Sequence, residues 1–319
     1  MIADVEYLLA IMRVFLTGAT GYIGSAILDA LLRGGHQVAA LVRDPEKAER
    51  VAARGVQTVL GDLGTTAGYV AHAETCDGTI HAGFEPSKRG PDVDRVALDA
   101  LIAAVRRRGA GAVERTPFFL YTSSAWAIGK AIRPASEKVL LKPTPLAAWR
   151  PAHEKLVTAA GADGRIRTAV VRPGVVYGRS RGIVADLIKE AKNGLIRVIG
   201  TGQQHWACVY DRDLADLYVR LAVSDEASGV FHANDEADER VEDIVTAIAD
   251  HMAMRPDIRL VPLEEARNTM GLYADALALD QRLRSARARD LGWAPTRTSV
   301  AASVARLCEE YRDAKAAVA

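Results

Sequence analysis

Cysteine is scarce in this chain: Cys76, Cys208 and Cys308 are odd in number and lie far apart in 319 residues. They fit neither a disulfide framework nor the spacing of a metal site, so no metal is expected and a reducing, cytoplasmic setting is. No apolar run reaches the length needed to cross a bilayer, and no membrane association is expected. Surplus charge is missing too. The chain has 41 basic and 40 acidic residues, a net charge of +1, so no field favours nucleic acid or an anionic membrane. The densest basic run, Arg106-Arg107-Arg108, ends a helical pattern and reads as a solvated helix end. Internal repeats and low-complexity tracts are absent. Residues 1–11 lack the charged start and small-residue cleavage pattern of a signal peptide, and read as an upstream start or a loose extension.

What is present is ordinary globular composition, 49% hydrophobic and 25% charged, over a length that suits one large domain or two unequal ones. The organising stretch is Met12 to Gly24, MRVFLTGATGYIG. Val14, Phe15 and Leu16 form a short buried strand that runs into a glycine-rich turn. Ile27, Leu28, Leu31 and Leu32 then repeat with helical spacing. Gly18, Gly21 and Gly24 are the residues such a turn needs. One permits the tight bend, one lets backbone approach a pyrophosphate, and one lets the helix pack on the strand. The helix start offers N–H groups and a partial positive charge to phosphates. Thr20, Tyr22 and Ile23 complete the expected dinucleotide cradle.

Further strands are expected at Gln37 to Val42, Val56 to Leu60, Gly78 to His81, Phe118 to Thr122 and Arg167 to Arg172. Alternation with helices predicts a doubly wound α/β fold with a parallel sheet covered on both faces. The second strand ends in Val42-Arg43-Asp44-Pro45. An acid there binds a ribose 2′-OH, whereas an arginine suits a 2′-phosphate. Val42 occupies the acid's slot and Arg43 follows, which favours NADP with NAD as the alternative; Asp44-Pro45 also reads as a helix start. Asp62, followed by Leu63, is placed either to accept from an adenine amino group or to cap the next turn. His81 and Ala82 end the fourth strand, where small residues leave room for a nicotinamide ribose and His81 makes backbone contacts. A long helix over 91–108 is expected to bury Val93, Val96, Ala97, Ala100, Leu101, Ala104 and Val105. Residues 130–146 read as a loop over the site, followed by a helix from about 146 or 147 to 160 in which Pro151 either marks the first turn or makes a kink.

By this point TGATGYIG at 17–24, GDL at 61–63, TSSAWAIG at 122–129, VRPGVVYG at 171–178, YDRDLADLY at 210–218 and RARDLGWAP at 287–295 have appeared in order. Together they resemble the extended short-chain dehydrogenase/reductase superfamily, which holds NAD-dependent epimerases and dehydratases and dihydroflavonol-type reductases. The resemblance implies a Rossmann domain over 12–177, rejoined by 205–235, and a smaller substrate region over 178–204 and 236–319. It also implies NAD(P), contact at Pro173, and a homodimer through helices 92–108 and 147–160.

Relatives place a serine or threonine after the fifth strand and a Tyr and Lys four residues apart on the next helix. Ser124 falls on the serine position. The pair is missing: with Glu154 and Val157 in register, Leu146 takes the tyrosine slot and Arg150 the lysine slot. Leucine transfers no proton, and a guanidinium whose pKa lies above about 12 can hold a ribose hydroxyl but cannot tune a neighbour by titrating. Ser124, Arg150 and Tyr177 are therefore the catalytic candidates, with Tyr121, His153 or a held water as other proton sources. His153 itself reads as a packing or dimer-face residue. Trp126, Trp149, Trp206 and Tyr210 are candidates to line a pocket for an apolar carbonyl compound. The expectation is an NADP-preferring oxidoreductase of atypical type acting on a small carbonyl or hydroxyl compound. An epimerase/dehydratase-type isomerase or lyase and an inactive dinucleotide sensor are the alternatives.

Overall fold

The computed structural model describes residues 11–111 and 115–316. Apart from Ile11, the expected N-terminal extension lies outside the described residues. The opening strands are β1 (Arg13–Thr17), β2 (Gln37–Val42), β3 (Gln57–Leu60), β4 (Gly78–His81) and β5 (Phe118–Thr122). With strands Arg167–Pro173 and Gly229–Ala233 they form one seven-stranded sheet. β1 pairs parallel with both β2 and β4, β2 with β3, β4 with β5, and β5 with Arg167–Pro173. Such strands are buried on both faces, and β2 shows it: every residue after Gln37 is buried.

The chain winds outward from β1 through β2 to β3, then returns to place β4 on the other side of β1. The C-terminal ends of β1 and β4 are in register, Thr17 opposite His81. This is where a doubly wound sheet opens a crevice for a ligand. The covering helices are α1 (Tyr22–Arg33), α2 (Pro45–Ala52), α3 (Val70–Glu74), α4 (Gly90–Gly109) and α5 (Arg150–Ala160). α1 buries Ala26, Ile27, Leu28, Ala30 and Leu31, and ends where Gly35 takes a positive φ and His36 N–H returns to the Leu31 carbonyl.

α4 departs from the expected face, and Ala100 is only half-buried. Val96 is 47% exposed, whereas Leu98 and Asp94 are buried. The stripe that packs inward runs through 94, 98, 101 and 105. Pro151 marks a start and not a kink, since α5 begins at Arg150 after a separate short turn at Pro145–Ala147.

The described residues divide into two compact units. The first holds the chain up to Ser123 with Ala152–Val171 and Ala215–Val230. The second holds Ser124–Pro151, Arg172–Leu214 and Phe231 onward. The segment expected as a loop over 130–146 contains a strand, Ala131–Ala135, that pairs parallel with Gln281–Leu283. That pairing draws it into the second unit. The same unit packs helices Ile183–Lys192, Val241–His251 and Val304–Ala316 around a core that includes Ile188, Ile196, Ile244, Ile248 and Leu307. No helix among the described residues is long and apolar enough to cross a membrane. Among the described residues, no three His, Cys, Asp or Glu side chains group as a metal site.

Candidate active site

In the first unit, the turn between β1 and α1 is shaped by its glycines. Gly18 has φ +78°, and a Cβ there would stand 2.5 Å from the Ala82 carbonyl oxygen. A Cβ on Gly24 would stand 2.0 Å from the Gly18 carbonyl oxygen. The turn thus lies directly on the end of β4, and the start of α1 lies directly on the turn. Gly21 is the extended N-cap of α1, with no side-chain cap and no acidic residue in the first turn. The positive end of the helix therefore has no capping side chain and no carboxylate of its first turn against it, as suits a pyrophosphate. Thr20, Tyr22 and Ile23 lie half-buried along the turn, and Asp62, Leu63 and Ala82 are half-buried near the ends of β3 and β4. Pro173 closes its strand as a buried residue.

At the tip of β2, Asp44 accepts the Lys47 N–H at 3.1 Å as the N-cap of α2, with Pro45 in the first turn. That use draws the carboxylate toward the helix. The Arg43 side chain is 72% exposed, and its closest carboxylate oxygen belongs to Asp62 at 4.0 Å. Asp62 also accepts the Gly64 N–H at 2.9 Å, so the turn-capping role foreseen for it is realised.

Side chains at the end of β4 do more than the backbone contacts expected of His81. Thr17 Oγ1 lies 2.6 Å from His81 Nδ1 and accepts the Gly83 N–H at 3.0 Å. His81 Nε2 is 3.3 Å from Asp94 Oδ1. The other oxygen of Asp94 receives the Tyr121 hydroxyl at 2.9 Å and pairs with His153 Nδ1 at 2.7 Å. Burial alone would raise the Asp94 pKa. Hydrogen bonds from His153, His81 and Tyr121 overcome it and hold the carboxyl well below the usual range. Next to this chain, Ser123 donates to the buried Glu154. Asp94, Thr17 and the side-chain role of His81 were missed in the sequence, and His153 faces Asp94 within the unit where a packing or dimer-face role was expected.

In the second unit, Ser124 caps the short turn Ala125–Ala127 and accepts the Trp126 N–H at 3.2 Å. Accepting leaves the serine its own proton to donate. Arg150 stacks over the Trp149 ring at 4.4 Å, and Trp126 meets Tyr273 edge-on at 6.0 Å between centroids. Both tryptophans are half-buried. Tyr177 is a different case. It is fully buried, its hydroxyl donates to the Arg297 carbonyl at 3.4 Å, and burial with nearby Asp235 drives its pKa far upward. Those surroundings suit core packing and oppose proton transfer. Trp206 and Tyr210 are likewise buried in the core of the second unit: the indole donates to the Leu277 carbonyl at 3.1 Å, and the Tyr210 hydroxyl donates to Glu310 at 2.6 Å.

Comparison with known proteins places the chain among relatives of this architecture. Residues 14–233 match the family described as "NAD dependent epimerase/dehydratase family". An uncharacterised protein of Schizosaccharomyces pombe is 30% identical over 310 residues, which cover 92% of this chain and 98% of that one. A 4-hydroxy-2-methyl-3-oxo-4-farnesyl-3,4-dihydroquinoline-1-oxide ketoreductase of Stigmatella aurantiaca is 26% identical over 272 residues, covering 80% of this chain and 78% of that one. Among solved structures, the UDP-glucose 4-epimerase of Thermus thermophilus in complex with NAD superposes with a TM-score of 0.78 at 21% identity, covering 95% of this chain and all of the other.

Proposed function

Because this chain belongs to the NAD-dependent epimerase/dehydratase family and is an NAD(P)-dependent enzyme of oxidoreductase type, we propose that it prefers NADP and interconverts a small ketone and its alcohol. The observation that carries the cofactor preference is the tip of β2. Asp44, the carboxylate beside Arg43, caps α2, and an exposed guanidinium stands where a ribose 2′-substituent is read. An arginine pairs with a phosphate through two parallel hydrogen bonds, which a 2′-hydroxyl cannot offer. The ketone class is supported by the ketoreductase relative and by the two half-buried tryptophans of the second unit.

The bound cofactor supplies or receives the hydride. This chain's residues bind, orient and handle the proton. The uncapped start of α1 holds the pyrophosphate. In the second unit, Ser124 offers its O–H to the substrate oxygen, and Arg150 is steadied on Trp149. With Leu146 in the tyrosine slot, and Tyr177 committed to the core, the proton reaches the oxygen from solvent through Ser124. Titrating the cofactor-free protein with NADPH and NADH, beside an Arg43→Ala variant, tests the reading. NADPH is expected to bind roughly tenfold or more tighter than NADH, with that advantage lost in the variant. Equal affinities in the parent protein remove the case for NADP. Failure to bind either nucleotide removes the oxidoreductase reading.

A further inference from the structure

The chain of buried groups behind the glycine turn has a directional logic. Thr17 Oγ1 accepts the Gly83 N–H, so its single proton is available to a bare His81 Nδ1 at 2.6 Å. His81 then carries its proton on Nε2, facing Asp94 Oδ1. The Ala82–Gly83 peptide, clamped by Thr17, is the same peptide that a side chain on Gly18 would strike, at 2.5 Å from the Ala82 oxygen and 2.7 Å from the Gly83 nitrogen. Whatever sets the His81 ring therefore sets the seat of the glycine turn.

Asp94 gathers groups from three elements: His81 from β4, Tyr121 from β5 and His153 from α5. Thr17 of β1 is uncharged, and Glu154, next to His153, is held by Ser123.

We propose that Asp94 is a positioning residue of the dinucleotide cradle. Through His81 it fixes the Thr17 hydroxyl that clamps the Ala82–Gly83 peptide beneath Gly18. The proposal rests on the reading that this turn holds the dinucleotide. The test is NADH binding followed by fluorescence, with folding checked by circular dichroism. Asp94→Asn should weaken binding by about tenfold. Thr17→Val, which removes the clamp, should weaken it by a similar factor, and Thr17→Ser, which keeps the hydroxyl, should bind as the wild type does. The Asp94→Asn/Thr17→Val double variant should bind no more weakly than either single one, since both act through one hydroxyl. Wild-type affinity in Asp94→Asn, or losses that add in the double variant, overturns the proposal. If Asp94→Asn does not fold, Thr17→Val and Thr17→Ser decide, and equal affinity of the two overturns it. A wild-type protein that binds neither NADH nor NADPH fails at the cofactor reading itself and takes this inference with it.

Discussion

Gly18 concentrates two constraints on one atom that is not there. Its φ of +78° is costly for any residue with a Cβ, and that Cβ would overlap the backbone at the end of β4. Backbone cannot swing aside as a side-chain tip does. Gly18→Ala is therefore expected to lower stability by about 2 kcal/mol or more and to abolish measurable dinucleotide binding. Denaturant melts beside NADPH titrations check both, and an alanine protein that binds normally would remove the steric account of the turn. This glycine was legible in the sequence because its neighbours announce a strand, a turn and a helix. Asp94 was equally present but hidden by its type. It sits four residues before Leu98 and seven before Leu101 on the buried stripe of α4, so an acid on an apolar stripe was the available signal. Tyr177, Trp206 and Tyr210 show the converse limit. Aromatic residues in short strands carry no mark that separates a pocket wall from a core, and here the core holds them.

At the scale of elements, strands were read well and the segments between them less so. β1 to β5 fall within a residue or so of the expected bounds, since continuous β-branched and apolar runs define a doubly buried strand. Strand Ala131–Ala135 was not legible because its partner, Gln281–Leu283, is distant in sequence and neither has a periodic pattern. Helix Asp211–Val223 shows a dependence that no motif reports. Arg167, 6% exposed, donates from Nη1 to the carbonyls of Leu221 and Ala227 and from Nη2 to that of Ala222, closing the helix's C-terminal end. Its guanidinium also lies over the Phe118 ring at 5.3 Å. Burial pulls its pKa down to about 10, still charged at neutral pH, so it also meets the negative end of the helix. Arg167→Met keeps the apolar stem and leaves three carbonyls unpaired. A loss of about 3 kcal/mol is expected in denaturant melts, and a loss within about 0.5 kcal/mol would show the carbonyls to be otherwise satisfied.

At the scale of the whole chain, stability against pH is governed by buried groups that pull in opposite directions. His232 is fully buried. Its Nδ1 donates to the Arg284 carbonyl at 3.2 Å, and Nε2 faces an Arg172 nitrogen at 3.5 Å. Burial, then the Arg172 charge, lowers its pKa to about 4 from the usual 6.5. Unfolding therefore takes up a proton between those values, and stability falls as pH drops from about 6.5 to about 4. Asp235 is buried with one carboxylate oxygen lacking a hydrogen-bond partner, and burial raises its pKa to about 7. Here the folded state holds the proton, so stability is complete below the ordinary carboxylate value of 3.8 and falls as pH rises through about 7. Each contribution is on the order of a few kcal/mol, and they oppose one another between about pH 4 and 6.5. The parent protein should then melt at nearly constant temperature across that interval and lose stability toward pH 7, where His232 is neutral folded or unfolded and Asp235 alone remains. Asp235→Asn should expose the histidine, giving a melting temperature that climbs with pH and exceeds the parent's at neutral pH. His232→Gln should expose the carboxylate and give a melting temperature that declines as pH rises. Two variants that both keep the parent's flat profile would show that neither group titrates within the folded protein over this range.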